Sequence, residues 1–283
     1  DCGKGIGIAA THEGDLYENY AGIETLSNPL PPIVCVNTTA GTASEVTRHC
    51  VITNTEKKIK FVIVSWRNTP LVSINDPELM VGKPAGLTAA TGMDALTHAI
   101  ESYVSLGANP VTDSMAIQAI KLISTNLRQA VAYGKNIEAR ENMAHASLLA
   151  GMAFNNAGLG YVHAMAHQLG GLYDIPHGVA NAVLLPHVEE FNIISNPKKF
   201  ADIAEFMGEN IEGLSVREAA DKAIAAIRKL SEDVNIPSNL RELGVKEEDF
   251  EKMAKLALED GNAVSNPIQG NEQDIINIFK AAY

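Results

Sequence analysis

The spacing of apolar residues changes about a third of the way along the chain, and this change predicts two structurally different parts. In the first part, short runs of β-branched and apolar residues predict strands over residues 33–37, 61–65 and 71–74. Beyond Pro84, apolar residues recur every three or four positions, which is the period of an amphipathic helix. The pattern therefore predicts an α/β part followed by an all-helical part.

The helical part carries start signals as well as periodicity. Ser215 and Glu218 have the spacing of a capping box, in which each side chain bonds the other residue's backbone N–H. We place the domain boundary after residue 83, giving domains over residues 1–83 and 84–283. The helices predicted from spacing cover residues 88–105, 116–127, 138–154, 215–230, 246–257 and 274–282.

The first ten residues, DCGKGIGIAA, contain no initiating methionine and already have a helical pattern. A domain rarely begins inside an element, so we expect that the α/β domain is truncated here and that further residues precede Asp1.

Composition excludes several classes of function. A net charge of −12 without basic clusters argues against nucleic acid or an anionic membrane as partner. No apolar run is long enough to span a bilayer, and no signal peptide is visible. Cys2, Cys35 and Cys50 have no metal-motif spacing, so we expect free thiols in a reducing cytoplasm.

Four of the 8 histidines lie between Gly158 and His187. His163 and His167 are four residues apart and would project from one face of a helix. His177 follows a Gly-Gly step and Pro176, where the chain is expected to turn back. Imidazoles that converge in this way suit a divalent metal ion.

A carboxylate to complete such a site is found on another predicted helix. Asp94 and His98 have i, i+4 spacing, so both side chains can reach one ion from a straight helix. Together with His163 and His177 they would form a set of three nitrogens and one oxygen, suited to Fe²⁺ or Zn²⁺.

The small residues of the segment TTAGTASE, at positions 38–45, directly follow the first predicted strand. Small residues at this place allow backbone amides to approach a phosphate or a ring closely. An ordinary turn is the alternative interpretation.

These motifs together resemble the iron-containing, group III alcohol dehydrogenases. The resemblance rests on GMDALTHAIE at 92–101, HAMAH at 163–167 with PHG at 176–178, and NTTAGTASE at 37–45. Asp1 to Lys4 also resembles the end of that family's Gly-Gly-Gly-Ser-x-x-Asp-x-x-Lys motif. The similarity extends over the whole chain, and Asn262, where other branches tend to carry Cys, favours one branch.

The resemblance implies an NAD(H)-dependent oxidoreductase acting on small alcohols and aldehydes, with a dinucleotide-binding α/β domain and a helical metal-binding domain. It also implies a homo-oligomer, a dimer or a larger decamer-like ring. NAD rather than NADP is implied by the family alone. The implied site residues are Asp94, His98, His163 and His177 as ligands of Fe²⁺ (or Zn²⁺), His167 as the proton-transferring residue, Asp1, Lys4, Thr38, Thr39 and Lys60 at the cofactor, and Phe154 and Asn262 at the substrate.

Three classes of function remain as alternatives at this stage. The first is another dehydrogenase, either one of the same family that acts on a primary alcohol, lactaldehyde or methanol, or a member of the related, zinc-holding glycerol dehydrogenase and dehydroquinate synthase group, against which GMDALTHAIE argues. The second is a metal hydrolase that uses the same ligands to activate water, which would leave the TTAGT segment unexplained. The third is a binding or structural protein, which predicts neither bound metal nor nicotinamide dependence.

Overall fold

The computed structural model describes residues 1–57 and 59–283. Within the described chain, strands occur only in the first 74 residues, and the regular elements that follow are helices. The strands are β1 Gly22–Ile23, β2 Val34–Val36, β3 His49–Asn54, β4 Ile59–Val64 and β5 Val72–Ile74. The helices are α1 Cys2–Ala9, α2 Leu16–Tyr20, α3 Ala85–Val104, α4 Pro110–Ala132, α5 Ile137–Ala157, α6 Tyr161–Tyr173, α7 His177–Asn192, α8 Pro197–Phe206, α9 Val216–Asp233, α10 Phe250–Glu259 and α11 Glu272–Ala281.

The strands form two small sheets. One has the order β1-β4-β3, in which β4 runs parallel to β1 and antiparallel to β3. The other consists of β2 and β5 in parallel, with Cys35 opposite Ser73. The three strands predicted from apolar runs correspond to β2, β4 and β5 and are confirmed within two residues at each end.

The sequence analysis did not identify β3 and α8. The sequence of β3, HCVITN, contains polar residues that mask its apolar alternation, and its pairing with β4 supplies the missing stabilisation. Helix α8 is only 10 residues long, and its N-cap Asn196 accepts a hydrogen bond from the backbone N–H of Lys199.

Helix α3 is the central element of the helical part. It packs against α4, α5 and α7, and its residues from Thr88 to Val104 are buried with the single exception of Thr91. Alanine is the commonest residue of this helix and glycine occurs twice, so neighbouring helices can approach it on several faces. The side chains of Asp94 and His98 on α3 therefore lie in the protein interior.

The predicted capping box at the start of α9 is confirmed. The Ser215 hydroxyl accepts from the backbone N–H of Glu218, and the Glu218 carboxylate accepts from the N–H of Ser215 at 2.9 Å. The expectation that residues precede Asp1 and the division at residue 83 are not tested by this structure and stay predictions. Within the described ranges, none of the helices combines the length and apolarity that a bilayer crossing requires.

Gly178 fixes the contact between α7 and α3, and a side chain there is expected to destabilise the fold. A Cβ atom at this position would lie 2.3 Å from the carbonyl oxygen of Ala90, a backbone atom that cannot rotate away. We expect Gly178→Ala to lower the free energy of unfolding by about 1–3 kcal/mol through overpacking. Urea unfolding followed by circular dichroism measures this change.

Gly86→Ala is the matched control for that substitution. Gly86 lies in the first turn of α3 and has nothing within 4 Å of a built Cβ, so alanine should leave stability unchanged or slightly higher. Equal stability of the two variants would contradict the close-approach argument.

Candidate metal centre

Four of the predicted side chains converge between α3, α6 and the start of α7. Ligand atoms of Asp94, His98 and His163 all lie within 4.8 Å of one another. His177 completes the group, with its Nε2 atom 3.6 Å from Asp94 Oδ1. Ligands about 2.1 Å from a tetrahedral ion are about 3.4 Å apart, so this spacing fits one small cation. The set contains three imidazoles and one carboxylate.

The local sequence explains how these side chains meet. Asp94 and His98 lie one turn apart on α3, as their spacing predicts. After α6, Asp174 adopts the left-handed conformation with φ 54° and stops the helix. Pro176 then starts α7, so that His177 is its first residue. The turn thereby returns His177 to the face of α6 that carries His163.

Burial determines the protonation state of the histidines. Desolvation lowers the pKa of His98 and lowers that of His163 well below the ordinary value. Desolvation also lowers the pKa of His177 to about 4, although nearby Asp94 opposes the shift. All three rings are therefore neutral near pH 7, and neutral imidazole is the form that binds metals.

Asn181 is a residue of this centre that the sequence analysis missed. Its Nδ2 atom lies 2.7 Å from Asp94 Oδ1 and 3.1 Å from Nε2 of both His163 and His177. Its Oδ1 atom is buried and has no hydrogen-bond partner among the described residues, and the same is true of His98 Nδ1. Such orphaned polar atoms beside a converging donor set fit a bound cation. The i, i+4 spacing from His177 is the signal that points to Asn181 in the sequence.

Glu101 is a second missed residue. It lies on α3, follows His98 by three positions, and its carboxylate Oε2 is hydrogen-bonded to Nδ1 of His163. Desolvation raises the pKa of Glu101 well above its ordinary value and the charge of neighbouring Glu189 adds to the effect, whereas hydrogen bonds from backbone N–H groups at the start of α6 oppose it and favour the ionised carboxylate. Asp94, His98 and Glu101 form one stripe on the helix, a pattern that is readable in the sequence.

His167 lies beside the four-residue group without joining it. Its ring stacks on that of His177 with centroids 5.5 Å apart, and its Nδ1 atom lies 2.7 Å from Asp260 Oδ2. Asp260 Oδ1 in turn accepts hydrogen bonds from the backbone and side-chain nitrogens of Asn262, at 2.9 and 3.0 Å. The sequence analysis missed Asp260, which lies in the turn after α10.

Phe154 packs directly against the centre. Its ring stacks on His98 with centroids 4.3 Å apart and also contacts His49 at 5.5 Å. His98 stacks in turn on His163 at 4.6 Å. Phe154 therefore forms an apolar wall beside the ligand group.

Asp1 and Lys4, two of the residues predicted at the cofactor, contact residues 44–49 at the end of the TTAGTASE segment and just beyond it. Asp1 Oδ1 accepts from the Ser44 hydroxyl at 2.9 Å, at the end of the TTAGTASE segment. Lys4 is buried, and its ammonium donates to the carbonyls of Thr47 and His49 at 2.7 and 2.8 Å. Desolvation lowers the pKa of Lys4 to about 8.

Two of the other three residues predicted at the cofactor, Thr39 and Lys60, contact the helical part. Thr39 lines a small cavity with Thr88 and Arg140, and its carbonyl accepts from Asn37 Nδ2 at 3.4 Å. Lys60 extends from β4 toward α6, where its Nζ atom would lie 3.0 Å from a Cβ built on Gly170. Thr38 is exposed at the end of the first predicted strand.

The remaining histidines serve packing or lie at the surface. His12 is buried between Thr11 and the backbone N–H of Asn28, and His145 is exposed. Desolvation lowers the pKa of His49 and of His187 to about 4. Cys2, Cys35 and Cys50 are free thiols, as predicted.

These low pKa values predict an acid-sensitive fold. Between pH 6.5 and 4, His49 and His187 bind protons in the unfolded chain but stay neutral in the folded protein. The contribution of these two neutral histidines to the free energy of unfolding is therefore complete above pH 6.5 and declines as the pH falls toward 4. We expect the free energy of unfolding of the metal-free protein to decrease over this range. His187→Gln should make the decrease shallower.

Urea unfolding at pH 7.5, 6 and 5 measures how the free energy of unfolding depends on pH, and His145→Gln, at an exposed histidine, is the control. Identical pH dependence in the wild type and His187→Gln would contradict the assignment.

The comparison with known proteins agrees with this geometry. The family described as iron-containing alcohol dehydrogenase matches residues 1–77, and its C-terminal counterpart matches residues 88–283. The chain is 77% identical to 1,3-propanediol dehydrogenase of Klebsiella pneumoniae, over all of this chain and 73% of the relative. It is 52% identical to an NAD-dependent methanol dehydrogenase of Bacillus methanolicus, over all of this chain and 74% of that relative.

A crystal structure of a 1,3-propanediol oxidoreductase superposes with a TM-score of 0.97 at 76% identity. The superposition covers all of this chain and 74% of the other. Sequence, fold and the converging donor set lead to the same conclusion. The chain belongs to the iron-containing alcohol dehydrogenase family.

Proposed function

We propose that this protein is an NAD(H)-dependent 1,3-propanediol dehydrogenase, which reduces 3-hydroxypropionaldehyde to 1,3-propanediol. The observation that carries the proposal is the 77% identity with 1,3-propanediol dehydrogenase along the entire chain. Asn262, which stands where other branches of the family tend to carry Cys, supports the same branch.

In this proposal Asp94, His98, His163 and His177 hold the divalent ion, with iron as the family's metal. When bound, such an ion supplies Lewis acidity that polarises an aldehyde carbonyl or lowers the pKa of an alcohol. The chain's contribution is to keep the three imidazoles neutral by burial and to place Asp94 among them. Metal retention requires neutral imidazoles and ligand atoms that converge on one point, and the chain provides both.

His167 is proposed as the group that moves the substrate proton to and from solvent. Its side chain is 17% exposed and its ring stacks on that of His177, which is 30% exposed, whereas His163 is only 3% exposed, so His167 lies on the solvent side of the ligand group. Asp260 orients the ring through Nδ1, and this leaves Nε2 as the atom that exchanges the proton. Asn262 donates two hydrogen bonds to Asp260 Oδ1 and thereby connects the substrate side of the site with the Asp260–His167 pair.

Asp1, Lys4, Thr38, Thr39 and Lys60 are proposed to contribute to nicotinamide cofactor binding. Lys4 would act indirectly, because its ammonium stabilises the backbone between Thr47 and His49. Lys60 would act directly, since it extends from the α/β part toward α6. Phe154 is proposed to flank the substrate, since it forms an apolar wall against His98.

We further propose that residues 1–83 belong to the nucleotide-binding domain and residues 84–283 to the metal-binding domain. The positions of the strands and of the two family matches support this division. A homo-oligomer, as either a dimer or a decamer-like ring, is proposed from membership of the family.

The decisive experiment combines metal analysis of anaerobically purified protein with NADH oxidation on 3-hydroxypropionaldehyde. The proposal predicts about one iron per subunit and fast aldehyde-dependent NADH oxidation. Zinc together with glycerol oxidation would instead assign the protein to the related glycerol dehydrogenase group. Absence of any metal from active protein would refute the ligand assignment.

A substrate panel separates the proposal from a related activity. The 52% identity with an NAD-dependent methanol dehydrogenase makes methanol the first competitor, and lactaldehyde is the second. We expect kcat/KM for 3-hydroxypropionaldehyde to exceed those for formaldehyde and lactaldehyde. The reverse order would move the protein to another branch of the family.

A further inference from the structure

The carboxylate of Glu101 connects two helices and is almost inaccessible to solvent. Glu101 is 2% exposed, and the two oxygens of its carboxylate bind different groups of α6. Oε1 accepts from the backbone N–H of Val162 at 2.8 Å, and Oε2 is hydrogen-bonded to Nδ1 of His163. A single side chain of α3 thus holds both the start of α6 and the ring of its proposed metal ligand.

The N-terminus of α6 needs hydrogen-bond acceptors from other elements, and Glu101 supplies one of them. Its N-cap residue, Gly160, provides no side-chain hydrogen bond, so the cap must come from elsewhere. Asn266 Oδ1 accepts from the N–H of Tyr161 at 3.1 Å, and Glu101 caps the next residue. A Cβ on Gly160 would lie 2.7 Å from Asn266 Oδ1 and 3.0 Å from Glu101 Oε1, so glycine is needed for both groups to approach.

The hydrogen bonds around His163 define which ring nitrogen carries the proton. Asn181 Nδ2 lies 2.7 Å from Asp94 Oδ1, and this short contact requires an N–H donor because the carboxylate accepts. The same Nδ2 lies 3.1 Å from Nε2 of both His163 and His177, and its one remaining hydrogen can be donated to only one of them. The tautomer is therefore defined by Glu101, whose carboxylate accepts from Val162 N–H through Oε1 and contacts His163 Nδ1 through Oε2. In a neutral ring the proton then lies on Nδ1, where Glu101 accepts it, and Nε2 is left 3.9 Å from Asp94 Oδ1.

We propose that Glu101 is a positioning residue that fixes His163 as its Nδ1–H tautomer and thereby determines how tightly the centre holds its divalent ion. The inference rests on the proposed ligand role of His163. In that tautomer the lone pair of Nε2 faces Asp94 and His98, whereas the other tautomer would present an N–H to the ion. Carboxylates that bind ligand histidines in this way typically change metal affinity 10–100-fold when removed.

Glu101→Gln tests the proposal with a minimal change of shape. A glutamine has one oxygen and one NH₂ group, so it cannot accept from both Val162 and His163. We expect the dissociation constant for Zn²⁺ or Co²⁺, measured by competition with a chromophoric chelator, to rise about 10–100-fold. The rate of Zn²⁺ loss from the loaded enzyme should rise accordingly.

Glu189→Gln is the matched control. Glu189 is also a fully buried carboxylate near Glu101, but its Oε2 atom binds Asn192 at 3.2 Å and neither oxygen binds a histidine. We expect this variant to keep the wild-type metal affinity within about threefold. An equal loss of affinity in both variants would show that buried charge in general, and not the bond to His163, controls the site.

The tautomer itself provides a readout that a purely structural role would not change. In the Zn²⁺-loaded, ¹⁵N-histidine-labelled wild type, we expect long-range ¹H–¹⁵N correlations to show His163 protonated at Nδ1. In metal-free Glu101→Gln the ring should shift toward the Nε2–H form. Should this variant not fold, Glu101→Asp keeps the charge, falls short of His163, and is expected to weaken metal binding in the same direction.

The outcomes separate this inference from the proposed function. If His163→Ala loses the metal while Glu101→Gln and Glu101→Asp bind it as tightly as the wild type does, the ligand set stands and the role of Glu101 is refuted. If His163→Ala itself retains the metal at wild-type affinity, the proposed ligand set fails first and the inference fails with it.

Discussion

His163→Ala is expected to release the bound metal and to abolish alcohol dehydrogenase activity together. The residue is 2% exposed and lies between Asp94, His98, Asn181 and Glu101, so its truncation removes one of the four converging donors from the centre. Loss of Lewis-acid stabilisation is worth several kcal/mol. We therefore expect kcat to fall about 1,000-fold or more.

Metal content by mass spectrometry and kcat on 3-hydroxypropionaldehyde measure the two losses in one preparation. His145→Ala is the control, because His145 is exposed on neighbouring α5 and has no contact with the centre. The removed ring also leaves a cavity beside Glu101, so a thermal melt of the metal-free variant should be recorded. Full metal occupancy in a folded His163→Ala protein would refute its role as a ligand.

His167→Ala is expected to separate metal binding from turnover. His167 lies outside the group of atoms that converge on the centre, so the metal content should remain at the wild-type level. Loss of a general acid or base typically costs 10²–10⁴-fold in rate, and we expect kcat to fall within this range. Because the proposed proton-transferring side chain is removed, the pH dependence of kcat should also become flatter.

Asp260→Asn extends this test to the partner of His167. The amide can still contact Nδ1 but no longer holds the ring as a carboxylate does, so we expect a smaller loss of kcat than in His167→Ala. Metal content should again be unchanged. If His167→Ala instead emptied the metal site, the division between ligand and relay residues would be wrong.

The linear sequence is sufficient to predict features that depend on spacing along one helix or one strand. The positions of Asp94 and His98 on one face follow from their separation by four residues, and the capping box at Ser215 follows from a separation of three. The helical pattern after Pro84 predicts α3, and runs of β-branched and apolar residues predict β2, β4 and β5. The family itself was also identified in the sequence, because its motifs combine residue types at fixed distances.

The sequence analysis missed residues whose role arises from contacts between elements distant along the chain. Glu101 binds His163 across 62 positions, and Asp260 binds His167 across 93. Neither carboxylate can be assigned to its histidine before the packing of α3, α6 and the turn after α10 is known. Strand β3 was missed for a similar reason, since its pairing with β4 compensates for its weak apolar pattern.

The sequence by itself determined which chemical groups are available: three histidines and one aspartate, of which Asp94 and His98 stand at helical spacing, in a chain whose pattern changes from strand to helix. The tertiary structure decided their chemical state. Packing buries His98 and His163 and leaves the His177 side chain 30% exposed, and desolvation keeps the rings neutral because it disfavours the charged form. Packing also selects the partner of each ring. Glu101 lies in the dry interior beside a proposed ligand, and Asp260 lies near solvent beside the proposed relay.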